Sequence, residues 1–204
     1  MANKEKIYKI QRLIPTQKRS KERYELILST AAELISEKGS ETFTMSDIVE
    51  RAGVPHGSLY QYFPDKVAVI GTLAERYNEE GHGCVEAELA NVTNQAELQD
   101  ALIRITDGYY EMFLSVPLMK DIWYATQSDP RLQELDAEDV NTLAEILAKA
   151  ILKLNPEADS HNVLLTSSLI MQLIATAVRH AISLEPKDAE QTLSTFKQML
   201  PNVF

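Results

Sequence analysis

An all-α fold is predicted for this 204-residue chain by three features of its sequence. Apolar residues recur at helical spacing (i, i+3, i+4, i+7) rather than in alternation, the pattern of helices that bury one face. Glycine is scarce, with seven in all and none beyond Gly108, so few positions are marked as turns. Pro117, Pro130, Pro156 and Pro186 punctuate the second half at intervals that suit helices of two to seven turns.

Taken in order, residues 1–17 carry Lys4, Lys6, Lys9 and Arg12 with little apolar periodicity and end near Pro15. They read as a mobile basic arm or a solubilising tail. From about Lys18 to Lys38, Tyr24, Ile27, Leu28, Ala31, Ala32, Leu34 and Ile35 mark one buried helix face, and Gly39 ends it. Thr44 stands three residues before Asp47, a capping-box start for a short helix through Ile48, Val49 and Ala52, which Gly53 stops. Pro55 opens a two-turn helix, about His56 to Phe63. Asp65 caps a longer one from Lys66 to about Glu80, where Gly81-His82-Gly83 breaks or kinks the chain. Further helices are expected at about Ala96–Val116, Leu118–Gln127, Pro130–Leu154, Asp159–Leu184 and Pro186–Leu200.

Composition narrows the function. With 45% hydrophobic and 25% charged residues the chain is an ordinary globular one. The net charge of -10 argues at first against a polyanionic partner. Residues 1–80, however, hold twelve basic and twelve acidic side chains, so all the excess acid lies downstream. The single cysteine, Cys84, provides no internal disulfide or thiolate zinc cage. The first thirty residues lack a signal-peptide core, and no run of about eighteen apolar residues spans a bilayer, so a cytoplasmic protein with no membrane partner is expected. Enzyme signatures are missing: there is no Gly-rich phosphate loop, nucleophile elbow or His-Glu-x-x-His pair, and His56, His82, His161 and His180 are scattered. His82, Cys84 and Glu86 make a poor metal set and Cys84 a poor redox switch, so no metal, cofactor or catalytic residue is expected.

Two short helices joined through Ala52-Gly53-Val54-Pro55 and held against a longer one are the parts of a helix-turn-helix. Ile48, Val49, Val54, Leu59 and Phe63 account for the core, leaving Ser46, His56, Gly57, Ser58, Tyr60, Gln61 and Tyr62 pointing partly outward. Such a surface suits a major groove. Gly57 admits a close backbone approach, Ser58 and Gln61 can bond base edges or phosphate, and tyrosine hydroxyls reach phosphate oxygens. Lys66 adds a cation at a helix N-terminus. Alternatively, Tyr60 and Tyr62 are half-buried spacers that pack their rings and wet their hydroxyls.

The run FTMSDIVERAGVPHGSLYQYFPDK, residues 43–66, strongly resembles the DNA-binding signature of the TetR family of transcriptional regulators, and the likeness extends over about Lys18 to Tyr77. The resemblance implies a basic arm (1–17), a helix-turn-helix head (18–64), and a linking helix plus a helical ligand-binding and dimerisation domain (65–204). It implies phosphate contacts at Thr44, Tyr60, Tyr62 and Lys66, and base-edge positions at Ser46, His56, Gly57, Ser58 and Gln61. Pro55 departs from the family's usual serine or threonine cap, and His56 and Gln61 occupy variable positions, so no operator sequence carries over. The eight basic and three acidic side chains of residues 1–25 give the arm a possible role along phosphates.

Downstream, Val163, Leu164, Leu169, Ile170, Leu173, Ile174, Ala177, Val178 and Ile182 make a helix apolar on more than one face. With the stripe Leu193, Phe196, Met199 and Leu200, it fits a four-helix subunit interface in a homodimer. For a small-molecule inducer, Tyr109, Phe113, Trp123, Tyr124 and Met171 offer apolar walls, with Tyr110, Met112 and Met119 nearby in sequence. Arg104 and Gln127, or Gln172 or His180, could orient a polar group; plain core packing accounts for the same residues. The expectation is a homodimeric repressor on double-stranded DNA, released by an inducer. The rivals are an activator of the same fold answering to a protein partner, and a helical small-molecule-binding or scaffold protein.

Overall fold

The apolar spacing of Lys18–Thr42 becomes helix α1, which buries Tyr24, Ile27, Leu28, Ala31, Leu34 and Ile35 along one side. A computed structural model describes Ile10 and residues 12–200 of the chain; Lys4, Lys6 and Lys9 of the basic arm lie outside the described residues. Gly39 interrupts α1 with φ 81°, and one further turn follows before Phe43. Helix α2 is Met45–Ala52. Its capping box is complete: the Asp47 amide donates to Thr44 Oγ1 at 3.2 Å and the Thr44 amide to Asp47 Oδ2 at 2.7 Å. Gly53, at φ 62°, ends it in the left-handed region. Helix α3 is His56–Tyr62, with Pro55 as its N-cap residue.

Helix α4, Lys66–Leu89, continues through Gly81-His82-Gly83 without interruption, which corrects the expected break near Glu80. Two glycines cost a helix about 1 kcal/mol each. Burial of Val85 and Leu89 just beyond them, and a 2.7 Å contact from His82 Nε2 to Asp139 Oδ1, work against that cost. Then follow α5 (Gln95–Ser115), α6 (Leu118–Thr126), α7 (Pro130–Leu154), α8 (Ser160–Ala181) and α9 (Pro186–Met199). Asn94 caps α5 and Asp159 caps α8, each accepting from a first-turn amide. Among the described residues all regular structure is helical.

By their packing the described residues form two units. The first holds the described residues up to Tyr77 together with Pro117–Asp136, and in it α1 packs on both α2 and α6. This unit reaches past the 64/65 boundary read from sequence, because α6 and the start of α4 complete the core around α1. Arg12 also belongs to it: its guanidinium pairs with Glu75 and lies 3.4 Å from Thr72 Oγ1, while the Leu13 amide donates to the Tyr62 carbonyl at 3.1 Å. Pro15 is buried, so the described end of the arm is docked rather than mobile.

The second unit holds Asn78–Val116 and the described residues from Ala137 onward. Its core joins Leu98, Leu102 and Ile105 of α5, Leu147 and Ile151 of α7, and Val163, Ile170 and Ile174 of α8. Helix α8 is long and apolar enough, by length and composition alone, to cross a membrane, yet only 33% of its most apolar window is buried within the chain. Uncharged Ser, Thr and Gln residues interrupt its apolar runs without adding charge.

Candidate nucleic-acid interface

The turn between α2 and α3 follows from local sequence, and the surface it presents follows from helical periodicity. In α3, Leu59 is fully buried and Tyr62, three residues on, lies on the same side at 3% exposure. The opposite side carries His56, Gly57, Tyr60 and Gln61, all exposed, with the Tyr60 ring 48% open to solvent. Ser46 is exposed on the first turn of α2, and Ser58 is half-buried.

Tyr62 is therefore a correction. Its ring meets Tyr24 edge-on with centroids 5.7 Å apart, and Tyr24 in turn stacks on Phe63 at 4.8 Å. It packs in the three-helix core, on the side of α3 that Leu59 also faces, and is not exposed beside Tyr60.

Thr44 is exposed, but its hydroxyl is engaged, donating to Asp47 Oδ2 at 2.9 Å. Lys38 Nζ reaches the other oxygen of Asp47 at 2.8 Å. That ammonium and the two bonds from Thr44 hold the Asp47 carboxyl down at about 2. Lys66 is turned inward. Its ammonium donates to the Glu41 carbonyl at 2.6 Å and sits 4.5 Å from the centre of the Phe43 ring, and the desolvation lowers its pKa. One of its three N–H groups thus satisfies a carbonyl at the end of α1.

Nor is the N-terminus of α4 open for an anion, as the sequence suggested. Asp65 Oδ1 accepts from the Ala68 amide at 2.8 Å, and Oδ2 accepts from Arg131 Nη1 at 2.7 Å. Arg131, in the first turn of α7, also bonds Asp129. The two carboxylates raise its pKa, and the guanidinium lowers that of Asp129.

Sequence reasoning missed one side chain beside α3. Arg23 Nη1 donates to Ser58 Oγ at 3.2 Å. Other cations of this unit are neutralised by acids: Lys38 by Asp47, Arg51 by Glu37, and Arg76 by Glu25, whose carboxyl it lowers. The sequence showed Arg23 as part of a basic run, without indicating that α1 carries it to the recognition helix.

The expected inducer-site residues fall in both units. Trp123, Tyr124 and Gln127 belong to the first unit; Arg104, Tyr109, Phe113 and Met171 belong to the second. Trp123 and Tyr124 lie ring to ring at 4.9 Å, with Tyr124 47% exposed, and Gln127 bonds its neighbour Thr126. In the second unit Phe113 and Tyr109 meet edge-on at 5.1 Å, Met171 is packed into the core, and Arg104 faces solvent on Glu88 at 2.6 Å. Among the described residues no group of three or more His, Cys, Asp or Glu is placed to hold a metal.

On α8, Leu165, Leu169 and Leu173 form a ridge at i, i+4 and i+8, exposed at 56%, 59% and 43%. Their neighbours Ile170 and Ile174 face the core, so the helix is apolar on two sides, as its sequence predicted.

Comparison with known proteins bears on both units. Residues 27–72 match the family of bacterial regulatory proteins described as tetR, and residues 96–203 match the tetracyclin repressor-like C-terminal domain. The uncharacterized HTH-type transcriptional regulator YvdT of Bacillus subtilis is 47% identical over 58 residues, 28% of this chain and 30% of that protein. An uncharacterized HTH-type transcriptional regulator of Mycobacterium tuberculosis is 31% identical over 126 residues, 62% of this chain and 60% of the relative. The chain thus spans less than two thirds of the length of either. A TetR-family transcriptional regulator of Pectobacterium atrosepticum shares the fold with a TM-score of 0.69 at 21% identity, over 91% of this chain and 96% of that one.

Proposed function

The chain belongs to the TetR family of bacterial transcriptional regulators, and from that premise we propose that it is a cytoplasmic, homodimeric repressor that leaves a pseudo-palindromic operator when a small-molecule inducer binds. The observation that carries this reading is the solvent-facing side of α3, where His56, Gly57, Tyr60 and Gln61 stand together on a helix whose other side is locked into a core. A short, rigid helix with such a face enters a major groove: His56 and Gln61 meet base edges, Gly57 lets the backbone approach, and the Tyr60 hydroxyl meets phosphate. Ser46 and Ser58 flank them. Thr44 and Lys66 border the same surface, and each reaches a phosphate only with the bonding capacity its internal partners leave.

Two such helices, one per subunit, fit successive major grooves about 34 Å apart. The α8 ridge supports the dimer, since covering three half-exposed leucines contributes roughly 1 kcal/mol each. For the inducer, each unit offers an aromatic pair of its own: Tyr109–Phe113 in the second unit, with Arg104 near it in sequence, and Trp123–Tyr124 in the first, with Gln127 near it in sequence. An inducer that binds better to a DNA-incompetent arrangement weakens operator binding by about 1–3 kcal/mol. The protein is read as a binding switch and not as an enzyme.

The test is binding to duplex fragments of the source genome at several salt concentrations. Specific, salt-sensitive capture is expected, with Tyr60→Phe weakening binding to every captured fragment about equally. Binding that ignores salt, or a Tyr60→Phe variant as tight as the parent on all fragments, contradicts the reading.

A further inference from the structure

We propose that Arg23 is a specificity-determining residue of the DNA interface: it fixes Ser58 as a hydrogen-bond donor toward DNA and adds a phosphate contact from α1, outside the helix-turn-helix. The proposal rests on the functional reading above and extends it to a side chain that the α2–α3 motif does not include.

Three observations carry it. First, the Arg23 Nη1–Ser58 Oγ distance of 3.2 Å places a guanidinium against the first turn of α3, next to exposed His56, Gly57 and Gln61. Second, the arginine is held there by rigid packing. The following residue, Tyr24, is 5% exposed and is clasped between Tyr62 and Phe63, so the second turn of α1 cannot shift without moving the end of α3. Third, Arg23 rests on a neutral hydroxyl, whereas Arg51, Arg76 and Lys38 face carboxylates, so its charge is uncompensated in this contact.

The chemistry follows from donor counting. An arginine has five N–H donors in a planar fork, and Ser58 takes one. The Ser58 oxygen, accepting that N–H, turns its own proton to another acceptor. On a major-groove edge those acceptors are purine N7, guanine O6 and thymine O4, so a cytosine amino group there is disfavoured. The remaining arginine donors are left for a phosphate oxygen.

The experiment measures equilibrium binding of the full chain to a captured duplex across a salt series, and base preference by selection from a randomised duplex pool. Arg23→Ala is expected to bind about tenfold more weakly and to lower the slope of log affinity against log salt by about one. Arg23→Lys keeps the slope, because the charge remains; in Arg23→Ala the freed Ser58 hydroxyl accepts as well as donates, so the bias against cytosine relaxes, and Ser58→Ala, which removes the donor, loses the preference at that position. Thermal unfolding of the three variants within a few degrees of the parent shows that the head is intact. If Arg23→Ala retains both slope and preference while Tyr60→Phe loses affinity, the proposal is wrong and the functional reading stands. If the parent chain itself shows no salt-sensitive duplex binding, the functional reading fails and this proposal fails with it.

Discussion

Asp47 shows how much a single residue settles. Its carboxylate answers Lys38, the Thr44 amide and the Thr44 hydroxyl at once, and its pKa is held at about 2. A carboxylate depressed in the folded state stabilises the fold fully above its unfolded value near 4, and that contribution disappears as pH falls through 2. Titration of Asp47 by NMR should give a midpoint near 2, and Asp47→Asn should flatten the pH dependence of thermal unfolding between pH 5 and 2; a midpoint near 4 contradicts this. The capping pair was legible, because Thr and Asp three apart announce a helix start. Lys38 was not, because the ion pair needs α1 and α2 to be packed together. Tyr62 differs from its expected outward place for another reason: three residues after Leu59 it falls on the buried side of α3, where Tyr24 of α1 meets its ring. The partner of Lys66 could not be read at all, since it is a backbone carbonyl 25 residues away.

At the level of helices, starts and stops were largely written in local chemistry: Gly39 and Gly53 take positive φ, and Asn94 and Asp159 cap. Gly81-His82-Gly83 misled because glycine marks an end only when nothing else holds the helix. Here apolar residues continue the stripe beyond it, and His82 meets Asp139. The glycines are thus ordinary helical positions with open space where a Cβ would stand. Gly81→Ala and Gly83→Ala should each stabilise the protein by about 0.4–1 kcal/mol, read as a rise in the unfolding midpoint. A loss of stability on either would mean that the sequence-predicted kink exists in solution. At Gly71 the opposite holds, since an added Cβ would strike Ile10 and crowd Leu132.

For the whole molecule, charge and apolar surface divide the labour. The excess acid lies beyond residue 80, and the ridge of exposed leucines lies on α8, leaving the electrostatically balanced N-terminal residues to meet a polyanion. The face proposed for the dimer was legible only as a helix whose apolar residues exceed one packed side. An inducer site was not legible, because aromatic and methionine side chains that line a cavity are the same ones that fill a core, as Met171 does. Leu169→Glu, on the exposed ridge, should convert a dimer into a folded monomer by sedimentation and weaken operator binding at least tenfold; a variant that still sediments as a dimer places the interface elsewhere. Whether the open side of α3 reads base sequence is decided by comparing duplexes selected by the parent with those selected by a His56→Ala, Gln61→Ala variant. Inverted repeats with half-site centres about one helical turn apart are expected, with a relaxed preference in the variant at a few symmetry-related positions only. Identical preferences from the two proteins would contradict a base-reading role for α3.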